Sequence, residues 1–460
     1  MEIFLVDSSV HNNLHAYCLC LSKGIGGTSM EDDEKPHLPM DIITKIPTHI
    51  SDPASLARAA SAYKPWRDLI KDPTFLDGLK GQHSDHGFTS SLLLGFFYQE
   101  SSEAPSHLWQ HHSDKNRCLA PSFIPTSEMI QSSDRGKEGC NAVSPMSLSN
   151  FIPGIGADLN FYEPVAAQDS FLALRRRAKP DLLCVCNPLS GELLHIPNRL
   201  GKPPHHYVLL VTDDVGVDGR MSQSFRLVSI WIKGKKLIYV YYCSKTRAWW
   251  RPTGAPELMA GLYLMPSPAA AFHGGIHWLC GSWKTFAPTH VATLHVDKEE
   301  LACVELPPEA KSNKAPMLAS SPDGGILVLL VKGLQMSLWK HKCGSGDAFH
   351  NWVLSETIDM TSSLPTRVLM MQPKARIRLE IFRGKSGAVV IWIEGEGLFL
   401  FCLGDRSMRK IDNENVTKMY CFCPYEIDWL SSLAVTNLVV DGSLDGRRAK
   451  VNGRWKTLMA

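Results

Sequence analysis

The side chains in this chain that could do chemistry are its thiols, imidazoles and paired acids, and their spacing decides whether they can act together. Three Cys-x-Cys pairs occur, Cys18/Cys20, Cys184/Cys186 and Cys421/Cys423. In extended backbone, residues i and i+2 project to one face, so each pair brings two thiols together and could share a metal. A structural zinc site takes four ligands, normally from two Cys or His knuckles, and no second knuckle is matched to any of these pairs. They are therefore read as buried structural cysteines, with no metal or other cofactor expected. His111-His112 and His205-His206 are adjacent, so in a strand their rings face opposite sides and neither pair forms a bidentate site; both read as loop histidines. Asp213-Asp214 and Glu299-Glu300 read as solvated turns between strands rather than general acid/base couples. The sequence has no GxxxxGK[ST] phosphate loop, no GxSxG elbow and no HExxH helix. Gly384-Lys385-Ser386-Gly387 lacks the preceding glycine of a phosphate loop and has strand-turn-strand surroundings. No catalytic constellation emerges, and a non-catalytic role is expected.

The composition sets bounds on what could hold such residues. In 460 residues, 44% are hydrophobic and 20% charged, as in a folded chain. With 48 basic against 46 acidic residues, no global field draws the chain to nucleic acid or to an anionic membrane, and neither is expected as a partner. Arg175-Arg176-Arg177 and the KGKK run from Lys233 to Lys236 read as solvated turns. Apolar runs such as Leu92 to Tyr98 and Ile326 to Val331 are far shorter than the roughly 20 residues of a membrane helix. The start of the chain has no basic n-region of a secretory signal. Thirteen scattered cysteines then read as reduced thiols, which implies cytoplasm or nucleus.

Along the chain, residues 1–35 combine a glycine patch with the acidic run Glu31 to Glu34, and are expected to form a disordered extension. Residues 36–80 read as a small helical domain. Ile42, Ile43 and Ile46 share a helix face; Ser51-Asp52-Pro53 caps a second helix that carries Leu56, Ala59, Ala60 and Tyr63; Pro65 ends it; Trp66, Leu69 and Ile70 start a third. A three-helix unit of this size buries too little on its own and needs a partner. From 86 to 435 the pattern is short β-branched and aromatic runs divided by turn residues, with 99–168 the loop-rich part and 436–460 a tail. About 350 residues of such pattern exceed one sandwich and suit a propeller of about six to eight four-stranded blades. Four loose repeats support this: 169–197, 237–254, 271–308 and 387–412, each a strand, a polar turn and a closing strand. The fold class expected is mainly β, a small three-helix domain followed by a β-propeller. Trp231, Trp278, Trp339, Trp352 and Trp392 read as packing between blades. Trp249-Trp250 places one ring on each face of a strand, making these two the candidates for an exposed partner anchor.

Residues 38–76 resemble the F-box, on Leu38-Pro39-Met40-Asp41-Ile42-Ile43, Leu56-Ala57-Arg58-Ala59, Trp66-Arg67-Asp68-Leu69-Ile70 and Asp72-Pro73-Thr74-Phe75. The β-rich remainder resembles the F-box-associated, kelch-like propellers of large plant families, on residues 186–197, 240–250, 272–279, 294–307 and 423–433. The resemblance implies that the chain recruits a target protein, whose identity it leaves open, to an SCF-type (cullin-RING) ubiquitin ligase. Leu38, Pro39, Ile42, Ile46, Leu56, Trp66 and Leu69 would then form or support the surface for the Skp-type adaptor, and through it cullin. The pattern departs at Ala62-Tyr63-Lys64-Pro65, where the family shows Val-Cys-Arg/Lys. A propeller scaffold with a degenerate F-box and no ligase role is the alternative.

Overall fold

In a computed structural model, the described residues are 87–427, apart from 101–119, 127–129, 132–145, 153–158, 343–351, 371–375, 412–419 and some shorter gaps, together with Trp66, Leu69, Asp72, Thr74, Phe75 and Gly78. Calls on 1–65, on most of the helical domain and on the tail after 427 lie outside the described residues.

The strands make six antiparallel sheets arranged as the blades of a propeller, which settles the blade number at the low end of the expected range. Blade 2 is the simplest: Tyr162–Gln168, Phe171–Arg176, Leu183–Asn187 and Glu192–Ile196, each paired with the next. Blade 3 follows as His206–Val215, Met221–Lys233, Lys236–Cys243 and Ala248–Trp250. In blade 4 the inner strand is split into Leu262–Leu264 and Ala270–Phe272, both paired to Gly275–Ser282, with Pro288–His295 and Glu300–Glu305 outside. Blade 5 is Met317–Ser320, Ile326–Lys332, Gln335–His341 and Trp352–Asp359. Blade 6 is Ile377–Arg383, Ala388–Ile393, Gly397–Cys402 and Met408–Lys410. The four repeats seen in the sequence are the outer strands of blades 2, 3, 4 and 6. Asp213 and Asp214 correct the sequence reading: they lie inside the inner strand of blade 3, paired with Gln223 and Ser222, not in a turn.

Blade 1 is built from both ends of the β-rich region. Leu93–Glu100, Ser122–Pro125 and Met146–Ser147 come from its start, and Tyr420–Glu426 pairs as the inner strand along Leu93–Glu100. A second crossover runs the other way, as Ile130–Gln131 adds to the outer edge of blade 6 beside Met408–Lys410. The loop-rich stretch 99–168 therefore supplies strands to three blades, 1, 2 and 6.

Alternation within the strands explains how the blades stack. Successive side chains face opposite sides, and every central strand is covered on both, so both sets are apolar. In blade 2, Leu172, Leu174, Cys184 and Cys186 face a cluster shared with Phe97 and Phe123 of blade 1, while Ala173, Leu183 and Val185 face one shared with Phe225 and Leu227 of blade 3. Ile276 and Trp278 pack toward Val228 and Ile230, and Leu279 toward Val328 and Leu330. Leu327 and Leu329 meet Val389 and Ile391, and Val390 meets Leu93 and Phe96, so one apolar cluster fills each of the six interfaces.

The closing strand is pinned at the axis. Arg383 of blade 6 donates from Nη2 to the Pro424 carbonyl at 2.8 Å and from Nη1 to the Ala167 carbonyl of blade 2 at 3.0 Å. Tyr425 Oη donates to the Ser170 carbonyl at 2.7 Å, the Ser386 amide donates to Glu426, and Lys385 pairs with Asp169 at 2.5 Å. Arg383→Met leaves two carbonyls unpaired and should lower the unfolding free energy by about 2–3 kcal/mol in urea denaturation. Arg376→Met, at a side chain 81% exposed, should change it by less than about 0.5 kcal/mol.

Candidate functional site

Turns that join strands usually carry polar residues and glycine, because their side chains face water. The turn between Gly275–Ser282 and Pro288–His295 of blade 4 reads Trp283-Lys284-Thr285-Phe286-Ala287. The ladder shifts register between Cys280 and Gly281, so the hairpin tip bends there. The tip is held by backbone bonds from Phe286 N to Ser282 O at 2.7 Å, Ser282 N to Ala287 O at 3.1 Å and Trp283 N to Gly261 O at 3.0 Å. Phe286 is in the left-handed region at φ 54°, an unusual conformation for a bulky side chain. Arg247, Glu299 and Arg406 share that conformation in other turns, and Phe161, at φ 72°, is a second exposed phenylalanine that adopts it.

The result is a cluster of rings on the surface. Trp283 is 55% and Phe286 67% exposed, and Met259 on the preceding segment is 53% exposed. Tyr263 joins them, with its ring centroid 4.7 Å from that of Trp283 and 6.3 Å from that of Phe286, and Trp283 and Phe286 are 6.3 Å apart at 83°. The three planes are splayed, so the packed rings expose both faces and edges. Tyr263 can lie there because residue 281 is glycine: a Cβ at that position would stand 2.6 Å from the tyrosine ring. Met265 N bonds to Leu279 O across the same hairpin, tying the inner segment to its neighbour.

The tryptophans singled out from sequence lie elsewhere, on the outer strand of blade 3. Trp250 is half exposed, and its Nε1 donates to Thr246 Oγ1 at 3.2 Å. Trp249 turns inward, donating from Nε1 to the Pro197 carbonyl at 2.8 Å and packing edge-on to Tyr242. The expected split of one ring to each face holds. Trp278 is fully buried, Trp339 and Trp352 pack on the cluster between blades 4 and 5, and Trp392 lies under the Arg378 guanidinium. Sequence reasoning passed over Trp283 and Phe286. The available signal was two large aromatics in a hairpin turn.

Of the seven residues expected to serve the adaptor, Leu38, Pro39, Ile42, Ile46 and Leu56 lie outside the described residues. Leu69 is half-buried, and Trp66 is buried in the cluster of Phe97, Phe123, Phe151 and Tyr425, with Phe75 packed against it. A side chain so placed supports the helical segment on blades 1 and 2. Further on, Phe88 covers the blade 6 turn, 6.0 Å from Phe382, over Gly387, where a Cβ would stand 2.3 Å from its ring.

The thiols divide by environment. Burial pushes Cys184 and Cys280 up to about 12, and Cys186 is raised by burial and by the neighbouring Cys184. Cys243 is different: burial raises it, but hydrogen bonds from Thr246 and Lys245 and the Arg226 charge outweigh that and hold the thiol below its ordinary value. Among the described residues no group of three or more His, Cys, Asp or Glu could hold a metal ion. No helix among them is long and apolar enough to cross a membrane.

A family model described as a domain of unknown function (DUF7595) matches residues 129–437. No curated protein matches the chain. Among solved structures, one titled as a puromycin hydrolase is 12% identical with a TM-score of 0.30, over 58% of this chain and 41% of that one. A post-proline cleaving enzyme from Rickettsia typhi is 9% identical with a TM-score of 0.27, over 59% and 38%. The chain thus spans about two fifths of the length of these structures.

A thiol held low forms thiolate at lower pH than one held high, so alkylation should separate the cysteines. Iodoacetamide at neutral pH, read by peptide mass spectrometry, should modify Cys243 well before Cys184, Cys186 or Cys280 in the folded chain. The difference should vanish in denaturant.

Proposed function

The chain belongs to the DUF7595 family, and we propose that this member is the substrate-recognition subunit of an SCF-type ubiquitin ligase, with residues 38–76 as an F-box handle and the propeller as the reader of a target protein. The observation that carries the reading is the union in one chain of an F-box-like sequence and a six-bladed body whose exposed feature is a ring cluster on a hairpin tip. Aromatic anchors with a polar rim are the usual means of protein recognition, since they bury large area at small entropic cost. Ligase adaptors bring a target to an enzyme held elsewhere, so their own surface needs affinity and a fixed geometry rather than reactive groups. Trp66 and Phe75 support that geometry, since their packing on blades 1 and 2 seats the end of the handle on the reader.

In this reading Leu38, Pro39, Ile42, Ile46 and Leu56, with Leu69, supply the apolar surface for a Skp-type adaptor, which in turn holds cullin. Trp66 acts beneath that surface. Ubiquitin transfer belongs to the other subunits.

Co-expression with a Skp-type adaptor tests the reading. The full chain should co-purify with the adaptor, and Leu38→Ala with Pro39→Ala should weaken that binding by roughly tenfold or more, because truncating buried anchors costs well over 1 kcal/mol. Trp283→Ala, far along the chain on blade 4, should leave it unchanged. A full chain that never binds the adaptor, or a double variant that binds as well as the parent, would replace this reading with that of a propeller scaffold outside any ligase.

A further inference from the structure

We infer that the Tyr263–Trp283–Phe286 surface of blade 4 is a docking site for an extended, proline-rich segment of a partner protein that carries acidic residues beside its prolines. The inference deepens the reader proposed above by giving its surface and the chemistry of its target.

The type of occupant follows from the shape and the donors. Three rings packed on one another with splayed planes, at 41° between Tyr263 and Trp283 and 83° between Trp283 and Phe286, present exposed faces and edges as a ridged apolar surface. A proline ring is flat-sided, rigid and apolar, so it stacks on an exposed ring face with little loss of conformational freedom. A proline-rich segment holds the polyproline II conformation, in which no backbone group bonds within the chain and the carbonyls point outward for a donor. Trp283 offers one, because its indole N–H has no hydrogen-bond partner among the described residues. Trp278 Nε1 also lacks a partner among the described residues, but it is buried, whereas the Trp283 N–H lies on an exposed side chain. An exposed tryptophan with an unused N–H in a ring cluster has both halves of the recognition chemistry that such a segment needs.

The charge follows from Lys284. It lies between the two aromatics at the tip, exposed and without an ion pair among the described residues. Segments 258–263 and 280–288, which build the surface, hold no Asp or Glu, and Lys284 is their one charged residue. The nearest acid before them in sequence, Glu257, is paired with Lys236 at 3.3 Å. An occupant that places a carboxylate beside a proline would therefore meet an uncommitted ammonium, and a basic one would be repelled.

The cost of building the surface points the same way. A phenylalanine at φ 54° carries strain of about 1 kcal/mol or more, and glycine there would relieve it. Leaving that ring 67% exposed also forgoes much of the stabilisation that burial would give. Gly281 adds to the pattern, since its missing Cβ serves the seating of Tyr263.

Fluorescence anisotropy with the full chain and three labelled peptides tests the inference without any adaptor, so its failure and that of the ligase reading are separate results. The peptides are a Pro-Pro-Glu repeat, a Pro-Pro-Lys repeat and a Gly-Ser-Glu repeat of equal length. The Pro-Pro-Glu peptide should bind saturably and the other two at least roughly tenfold more weakly. Trp283→Ala and Gly281→Ala should each weaken the Pro-Pro-Glu complex by a similar factor, and Lys284→Glu should reverse the preference toward Pro-Pro-Lys. Thermal melts of Trp283→Ala and Lys284→Glu, both at exposed positions, should match the parent. No saturable binding of Pro-Pro-Glu, equal binding of all three peptides, or binding unaffected by Trp283→Ala each overturns the inference. If Trp283→Ala instead abolishes self-association in sedimentation velocity while peptide binding is absent, the surface belongs to a second copy of the chain, and the inference is equally overturned.

Discussion

The pairing of Tyr420–Glu426 with Leu93–Glu100 is the constraint on which the molecule depends. Without the last strand, blade 1 lacks its inner edge and two apolar clusters lose a wall. Phe422 stacks on Phe96 at 4.5 Å in the cluster toward blade 6, and Cys423 and Tyr425 face the cluster toward blade 2. One short strand thus feeds both flanking interfaces through its alternating side chains. Closure joins residues more than three hundred apart in sequence, whose loop entropy must be overcome before the contacts repay it. The hydrogen bonds from Arg383 to strand carbonyls and from Tyr425 to the carbonyl of the blade 2 turn residue Ser170 hold this seam at the axis, where the ladder itself has no further strand to pair with.

A closed ring also accounts for where unfavourable local choices can be tolerated. Each interface is packed from both sides, so a hairpin tip on the rim contributes little to the core and is free to serve recognition. That is the setting of Phe286, strained and exposed on a bent hairpin, while Trp278 four positions upstream of Ser282 is wholly buried. The same strand serves both ends: Ile276, Trp278 and Cys280 anchor it against blade 3, and its last residue begins the turn that lifts Trp283 to the surface.

The blades themselves were readable from sequence because their central strands are apolar on both faces. Runs such as Ile326–Lys332 and Ala388–Ile393 have no helical period and are bounded by turn residues. Cys184 and Cys186 read correctly for the same reason, as one face of a buried strand. The number of blades was not readable. Outer strands such as Ala248–Trp250 and Met408–Lys410 are three residues long, and the inner strand of blade 4 is split, so none shows a period. Nor was the closing strand, because Pro424 argues against a strand in the middle of a sheet. The structure shows why it fits: an inner strand has a neighbour on one side only, so a missing N–H is tolerated, and Pro164 in the inner strand of blade 2 sits at a register shift for the same reason. The ring cluster is not legible in the sequence because Tyr263 lies some twenty residues from Trp283 and Phe286, and only three-dimensional placement separates Trp278 from Trp283.

The seam and the helical segment are not independent. Trp66 and Phe75 join a cluster whose walls include Phe97 from the start of the ring and Tyr425 from its end. Phe88 lies on the turn of blade 6 that also carries Lys385 and Ser386, the partners of Asp169 and Glu426, and the Thr89 amide donates to the Lys385 carbonyl at 2.9 Å. The seat for the segment before the propeller is therefore assembled from blades 1, 2 and 6, the blades that meet at the seam. An open ring would offer neither the Tyr425 side of the cluster nor the blade 6 turn in register with blade 1. Trp66 and Phe75 therefore find their full seat only in a chain that has closed its propeller, since one wall of that seat is the closing strand itself.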